Sequence, residues 1–200
     1  MLCTIMTDFI FYFKLGWFHI LSLDALDHLY FIAVLTIIYT FSSWKSVLVL
    51  ITAFTIGHAC TLFLSALDLL RFNDQYVEFA IPCTIFISAA VNLWRRDGLV
   101  KTRSVQYFLA LFFGLVHGMG YANAIRFMLS SDQHIFSSLL SFNIGLESGQ
   151  IFVVLFVLFV GWFVQRMKLF SQRDWVLIFS SVIFGLSFQM AIERFPFFIK

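Results

Sequence analysis

The stretch Trp44–Leu67, WKSVLVLITAFTIGHACTLFLSAL, decides how this chain is read. Beyond Lys45 it holds no Asp, Glu, Lys or Arg. A hydrocarbon core of about 30 Å is crossed by about 20 mostly apolar helical residues, so this stretch is long enough to span a membrane. Backbone groups in lipid must bond within their own segment, which selects a helix. A membrane barrel would need alternating polar positions, and this run is continuously apolar.

Five more stretches read the same way: Asp27–Phe41, which is short, Tyr76–Trp94, Val105–Leu129, Ile135–Val164 and Trp175–Arg194. The fifth span in chain order, Ile135–Val164, is long enough to tilt or to extend past the lipid. The expected fold is therefore all-α: a polytopic membrane helix bundle of about six transmembrane helices. It forms a single integral membrane domain over 1–200, with the six spans in 25–194 and no linker, charge block or internal repeat dividing it. Residues 1–24 differ. Phe9–His19 is aromatic but contains Lys14 and His19, and it lacks the basic flank of a signal peptide. It reads as an interfacial or half-inserted, re-entrant helix, with a seventh span as the alternative.

Composition agrees. Of 200 residues, 61% are hydrophobic and 12% charged, against about 25% charged in soluble domains. Mean hydropathy is +0.93. These values exclude a soluble enzyme, a disordered chain and a nucleic-acid binder. With 13 basic and 11 acidic residues there is no basic excess to attract a polyanion. Cys3, Cys60 and Cys83 make no CxxC pattern, and Cys60 and Cys83 read as small buried hydrophobes.

The loops set an orientation. Connections after spans one, three and five hold eight basic residues: Lys45; Arg95, Arg96, Lys101 and Arg103; Arg166, Lys168 and Arg173. The other side holds five: Lys14, Arg71, Arg126, Arg194 and Lys200. The first set is expected in the cytoplasm, which puts both termini outside.

Ionisable residues at mid-span are costly, about 2.5–3.5 kcal/mol for Asp on insertion scales. This chain keeps His19, Asp27, His28, His58, Glu78, His117 and Glu147 in or beside spans, while His134 lies in a polar loop and reads as solvated. On the expected topology they gather in the outer half of the bundle, with Asp27 and His28 at the outer end of span one. Asn143, Glu147 and Gln150 fall on one helix face, as do Glu78, Pro82, Ile85, Ala89 and Asn92. Thr55 and Thr61 flank His58 at three-residue spacing and could offer its ring a hydroxyl. Gly114 and Gly118 flank His117 in a GxxxG spacing that lets helices pack closely.

Imidazoles and carboxylates suit borderline divalent ions such as Ni²⁺, Zn²⁺ or Co²⁺, and the lack of thiols in the set argues against Cu(I) or an iron–sulfur cluster. Each residue alone has a plainer reading. A single membrane histidine is ordinarily a helix–helix hydrogen bond, Asp27 and Glu78 could simply be hydrated near the interface, and Asn143 and Gln150 could serve packing. The gathering of so many at one depth is what favours a metal or proton site.

Six segments then appear in order: GWFHIL (16–21), LDHLYF (26–31), AFTIGH (53–58), VEFAIP (77–82), FGLVHGMG (113–120) and FNIGLESGQ (142–150). Together they resemble the HupE/UreJ family of hydrogenase/urease accessory membrane proteins, over nearly the whole chain. The resemblance implies a multi-pass protein of the bacterial inner (cytoplasmic) membrane that acts as a permease for nickel or sometimes cobalt. It implies His19, Asp27, His28, His58, His117 and Glu147 as metal-handling residues, with Glu78, Asn143 and Gln150 supporting, and metalloenzyme maturation machinery as a partner. Two departures stand out. Ala59 replaces the family serine after the span-two histidine, and the stretch from His19 to His28 is longer than the common form.

The leading expectation is a transporter without an ATP-binding loop, driven by a partner, the membrane potential or a gradient. Its binding must be weak enough for release. The rival is an intramembrane zinc hydrolase, in which three histidines hold the ion and Glu147 or Asp27 is the general base. A closed site with a lateral portal would favour the hydrolase, and a polar passage to the cytoplasmic face would favour transport. A membrane metal sensor or chaperone-like partner is a third reading with no distinguishing feature.

Overall fold

A computed structural model describes residues 2–22, 25–94, 103–129 and 135–196. The basic cluster at 95–102 and His134 lie outside the described residues, as does the side chain of Arg103. Seven helices follow in order: α1 (Leu2–Leu21), α2 (Leu26–Thr36), α3 (Trp44–Ala66), α4 (Asp74–Trp94), α5 (Arg103–Leu129), α6 (Ile135–Arg166) and α7 (Gln172–Glu193). No strand occurs among the described residues.

Five helices, α3 to α7, have the length and apolar character to cross a membrane. The chain is a multi-pass membrane helix bundle. The expected first span is different. Its helix α2 has 11 residues, about 16 Å at the usual rise, and is too short to cross alone. It meets α1 at 70°, and the two together have the length and apolar character of one span. The bent pair is either a sixth, broken crossing or a re-entrant loop, and Asp27 and His28 lie beside the bend rather than at the end of a straight span. The α1 helix packs lengthwise on α6.

Glycines explain that packing. A Cβ at Gly16 would overlap the carbonyl oxygen of Phe142, and one at Gly145 would overlap that of Phe13, while Gly149 faces Ile20. Contact thus advances along both helices together, so α1 and α6 run parallel with backbones touching. α3 and α5 repeat the arrangement. A Cβ at Gly114 would overlap the Phe54 carbonyl oxygen, one at Gly57 that of Leu111, and one at Gly118 the Thr61 hydroxyl. Small residues allow such close approach in lipid, where no hydrophobic force drives helices together. The expected GxxxG role of Gly114 and Gly118 is the observed one.

Two larger apolar clusters fill the bundle. One joins Ile20, Leu62, Phe142 and Leu146, and the other joins Phe31, Phe54, Ile85 and Phe113. Of the α4 stripe, Pro82, Ile85, Ala89 and Asn92 are buried and Glu78 is exposed, and Asn92 Nδ2 donates to the Val34 carbonyl at 2.8 Å, tying α4 to α2. Cys60 is exposed and Cys83 only half-buried, which corrects the buried reading. Cys60 follows His58 by two positions, and turning that ring inward leaves the thiol on the outer face of α3.

At one end of the bundle, Asp68 takes the left-handed conformation (φ 56°) just past α3, a position where helices commonly end. Both Arg71 and Arg126 donate to its carboxylate. The Arg71 hydrogen bonds hold the Asp68 carboxyl below its ordinary range. On the other side of the bundle α7 starts with a capping box. Ser171 Oγ accepts from the Asp174 N–H at 3.1 Å, and the Asp174 carboxylate accepts from the Ser171 N–H at 3.3 Å.

Candidate metal centre

The break between α1 and α2 positions the site. His19 is in the last turn of α1 and Asp27 in the first turn of α2. The C-terminal end of a helix carries partial negative charge, so α1 points a favourable dipole at a cation there. His58 comes from α3 and His117 from α5, brought together by the glycine contacts of that helix pair. Four of the five histidines of the chain thus meet from four helices. Ring centroids are 4.8 Å apart for His19–His28, 6.0 Å for His28–His58, 6.2 Å for His19–His58 and 5.1 Å for His28–His117.

His19, His28 and His58 each offer a ring nitrogen within 4.8 Å of the others. At zinc–nitrogen bonds of about 2.0–2.1 Å, tetrahedral ligands sit about 3.4 Å apart, so small side-chain rotations close the difference. Nε2 of His19 and of His28, both ring nitrogens of His58, and Nδ1 of His117 are buried without a hydrogen-bond partner in the protein. His58 has no exposed surface at all. Buried polar atoms left unpaired cost about 1–3 kcal/mol each, so their gathering at one point needs an explanation beyond packing. The Thr55 and Thr61 hydroxyls do not supply partners, contrary to expectation. Thr61 bonds the His58 and Gly57 carbonyls, and Thr55 bonds the Ile51 carbonyl and the Gln150 side chain. A hydroxyl one turn along a helix reaches back to the i−4 or i−3 carbonyl more readily than across to a ring.

Asp27 orients His28. Its Oδ1 accepts from the His28 backbone N–H at 2.8 Å and lies 3.0 Å from His28 Nδ1. An ionised carboxylate only accepts, so Nδ1 carries the proton and Nε2 presents its lone pair. This carboxylate–imidazole pairing is the usual outer support of a metal-binding histidine. Asp27→Asn is accordingly expected to weaken metal binding by about 10–100-fold, read as a rise in Kd by calorimetric titration, with the fold retained.

A cavity of ≈ 250 Å³ opens onto the cluster, with His19, Asp27, His28 and His117 on its wall. Exposed Glu78 stands at its rim. Pro82, with no N–H, removes the donor that would reach the Glu78 carbonyl in α4. His117 Nε2 lies 3.4 Å from Thr84 Oγ1. Below, the rings of Phe31, Phe54 and Phe142 close the cluster, with Phe31 4.8 Å from His117 and Phe54 5.3 Å from it.

Three expected residues stand apart. Glu147 accepts a 2.6 Å hydrogen bond from Thr52 and is not on the cavity wall. Gln150 accepts from Thr55 at 2.8 Å, and Asn143 donates to the Leu139 carbonyl. They share a helix face as expected, and two of them, Glu147 and Gln150, bond Thr52 and Thr55 of α3 rather than the imidazoles. Sequence reasoning missed Tyr121, whose ring lies 4.3 Å from His19, and Arg194, whose Nη1 is 3.3 Å from Asp27 Oδ2. A positive charge at the tip of the last apolar run is the sequence signal for Arg194.

Fold and site together define a multi-pass membrane bundle with buried imidazoles converging at a broken helix. The family model described as HupE / UreJ protein matches residues 1–194. The chain belongs to the HupE/UreJ family. No curated protein and no solved structure matches it.

Proposed function

We propose that this protein is a permease of the bacterial inner membrane for a divalent transition metal, nickel first, with cobalt or zinc as chemically allowed cargo. The observation that carries this reading is the convergence of the unpaired, buried ring nitrogens of His19, His28 and His58. With Asp27 holding one tautomer, they make a nitrogen-rich shell that binds a borderline ion, and the absence of thiolate allows release. The ion enters past Glu78 from the extracytoplasmic side and is delivered toward cytoplasmic metalloenzyme maturation. In this orientation the bent α1–α2 pair and α7 leave both ends of the chain outside.

Phe31 and Phe54 close the inner side. Beyond them lies a second small cavity of ≈ 10 Å³ that also touches Gln150 and Thr36, about one water in size. The same two rings pack against His117 of the site and line this second cavity, which suits an aromatic gate that must part for the ion to pass. The membrane potential, a gradient or a partner supplies the driving force.

The sealed inner side also favours a second reading, a one-ended zinc hydrolase using the same imidazoles. Reconstitution separates the two. Protein in liposomes should accumulate Ni²⁺ inside against a trapped metal-sensitive dye, far above the protein's own stoichiometry. Metal retained at about one ion per chain, with no entry into the lumen, would discard the permease.

A further inference from the structure

Among the described residues, the cavity wall holds one arginine and no lysine. Arg194 caps α7, its backbone N–H bonded to the Met190 carbonyl at 3.0 Å. The next residue, Phe195, packs edge-on against Phe79 of α4 at 5.2 Å between ring centroids. From this anchored end the guanidinium reaches inward, and Nη1 donates to Asp27 Oδ2 at 3.3 Å. Oδ1 of the same carboxylate is the atom that orients His28. Arg194 therefore occupies the free oxygen of the buried acid in the site.

Charge arithmetic gives this contact a role. With the imidazoles neutral, the wall carries two carboxylates, Asp27 and Glu78, and one guanidinium. Its formal charge is −1 with Arg194 in place and −2 once it withdraws, which matches a divalent cation. The Arg194 side chain is 31% exposed and Asp27 only 11%, so the arginine can retreat into water while the acid stays.

We propose that Arg194 is an internal counter-cation that competes with the incoming metal for Asp27 and must leave it for the ion to bind. It is a specificity-determining residue. A monovalent ion that cannot bind imidazole gains too little to displace the guanidinium, whereas a divalent ion that binds nitrogen does displace it. The pairing also keeps Asp27 compensated between transport cycles. The proposal rests on the metal-permease reading, and its test keeps the two separate.

The experiment is Ni²⁺ titration of the detergent-purified full chain by calorimetry, using wild type, Arg194→Gln, Arg194→Lys and His28→Ala. Removing a competitor lowers Kd, so Arg194→Gln should bind at least about fivefold tighter, the lower end of usual coupling between sites. Arg194→Lys, which keeps the charge, should stay near wild type. A merely structural arginine would give weaker or unchanged binding on removal. If Arg194→Gln lowers stability, the Ni²⁺-induced rise in Tm should still exceed that of wild type, because stabilisation follows the ratio of ligand concentration to Kd. Binding by Arg194→Gln equal to or weaker than wild type, with His28→Ala abolishing it, overturns the counter-cation and leaves the metal site standing. Equal tightening in Arg194→Lys and Arg194→Gln overturns it as well. No binding of Ni²⁺, Co²⁺ or Zn²⁺ by any variant removes the metal reading and the proposal with it.

Discussion

His58→Leu should abolish metal binding while leaving the metal-free protein as stable as wild type or more so. The two effects have opposite signs for one physical reason. His58 is fully buried, and neither ring nitrogen has a partner in the protein. Leucine, of similar bulk, removes those unpaired atoms, and a buried unpaired polar group costs about 1–3 kcal/mol. The same change deletes a donor from the His19–His28–His58 set. Losing an outer supporting partner weakens metal sites by about 10–100-fold, and losing a ligand should exceed that. Calorimetric titration with Ni²⁺ and thermal unfolding of the metal-free protein are the two measurements. If the ring is instead a packing element that matters for the fold, Tm falls and binding is incidental, the reverse of the expected pattern.

Gly114→Ala is the second large effect, with Gly185→Ala as its control. Both place one methyl group on a membrane helix. At Gly114 the new Cβ would overlap the Phe54 carbonyl oxygen, a backbone atom that cannot swing aside, whereas at Gly185 nothing lies within 4 Å. Overpacking typically costs about 1–3 kcal/mol, and here relief requires α3 and α5 to separate. Because α3 carries His58 and α5 carries His117, separation also pulls the imidazoles apart. Gly114→Ala should thus lose stability and metal affinity together. Gly185→Ala should keep both, with a small gain up to about 1 kcal/mol from helix propensity. Equal behaviour of the two variants would mean that the α3–α5 contact is not what sets the site.

Ile135–Val164 illustrates what can be read without coordinates. Continuous apolar character makes it a span, and the helix observed is Ile135–Arg166. The α3, α4, α5 and α7 segments follow the same logic, because in lipid a long apolar run has one way to satisfy its backbone. The site was legible in part through cost. His58 and His117 are conspicuous because little else in their helices is ionisable, and the glycines around His117 announce close packing.

Asp27 and Glu147 show where that reading stops. Both are acids in apolar surroundings, and spacing along one chain does not tell that Asp27 orients His28 whereas Glu147 bonds Thr52. Arg194 is 167 positions from Asp27, and their pairing exists only because α7 ends beside the start of α2. The amino-acid order by itself determined that the chain spans a membrane as helices and that several imidazoles must find partners there, since burial in lipid penalises every unpaired polar group wherever the helices happen to pack. Only the tertiary structure decided which partners they find. It bent the chain between α1 and α2 beside the histidines, joined α3 to α5 through touching backbones, and set one arginine on the acid of the site, because direction and distance between helices depend on packing in three dimensions.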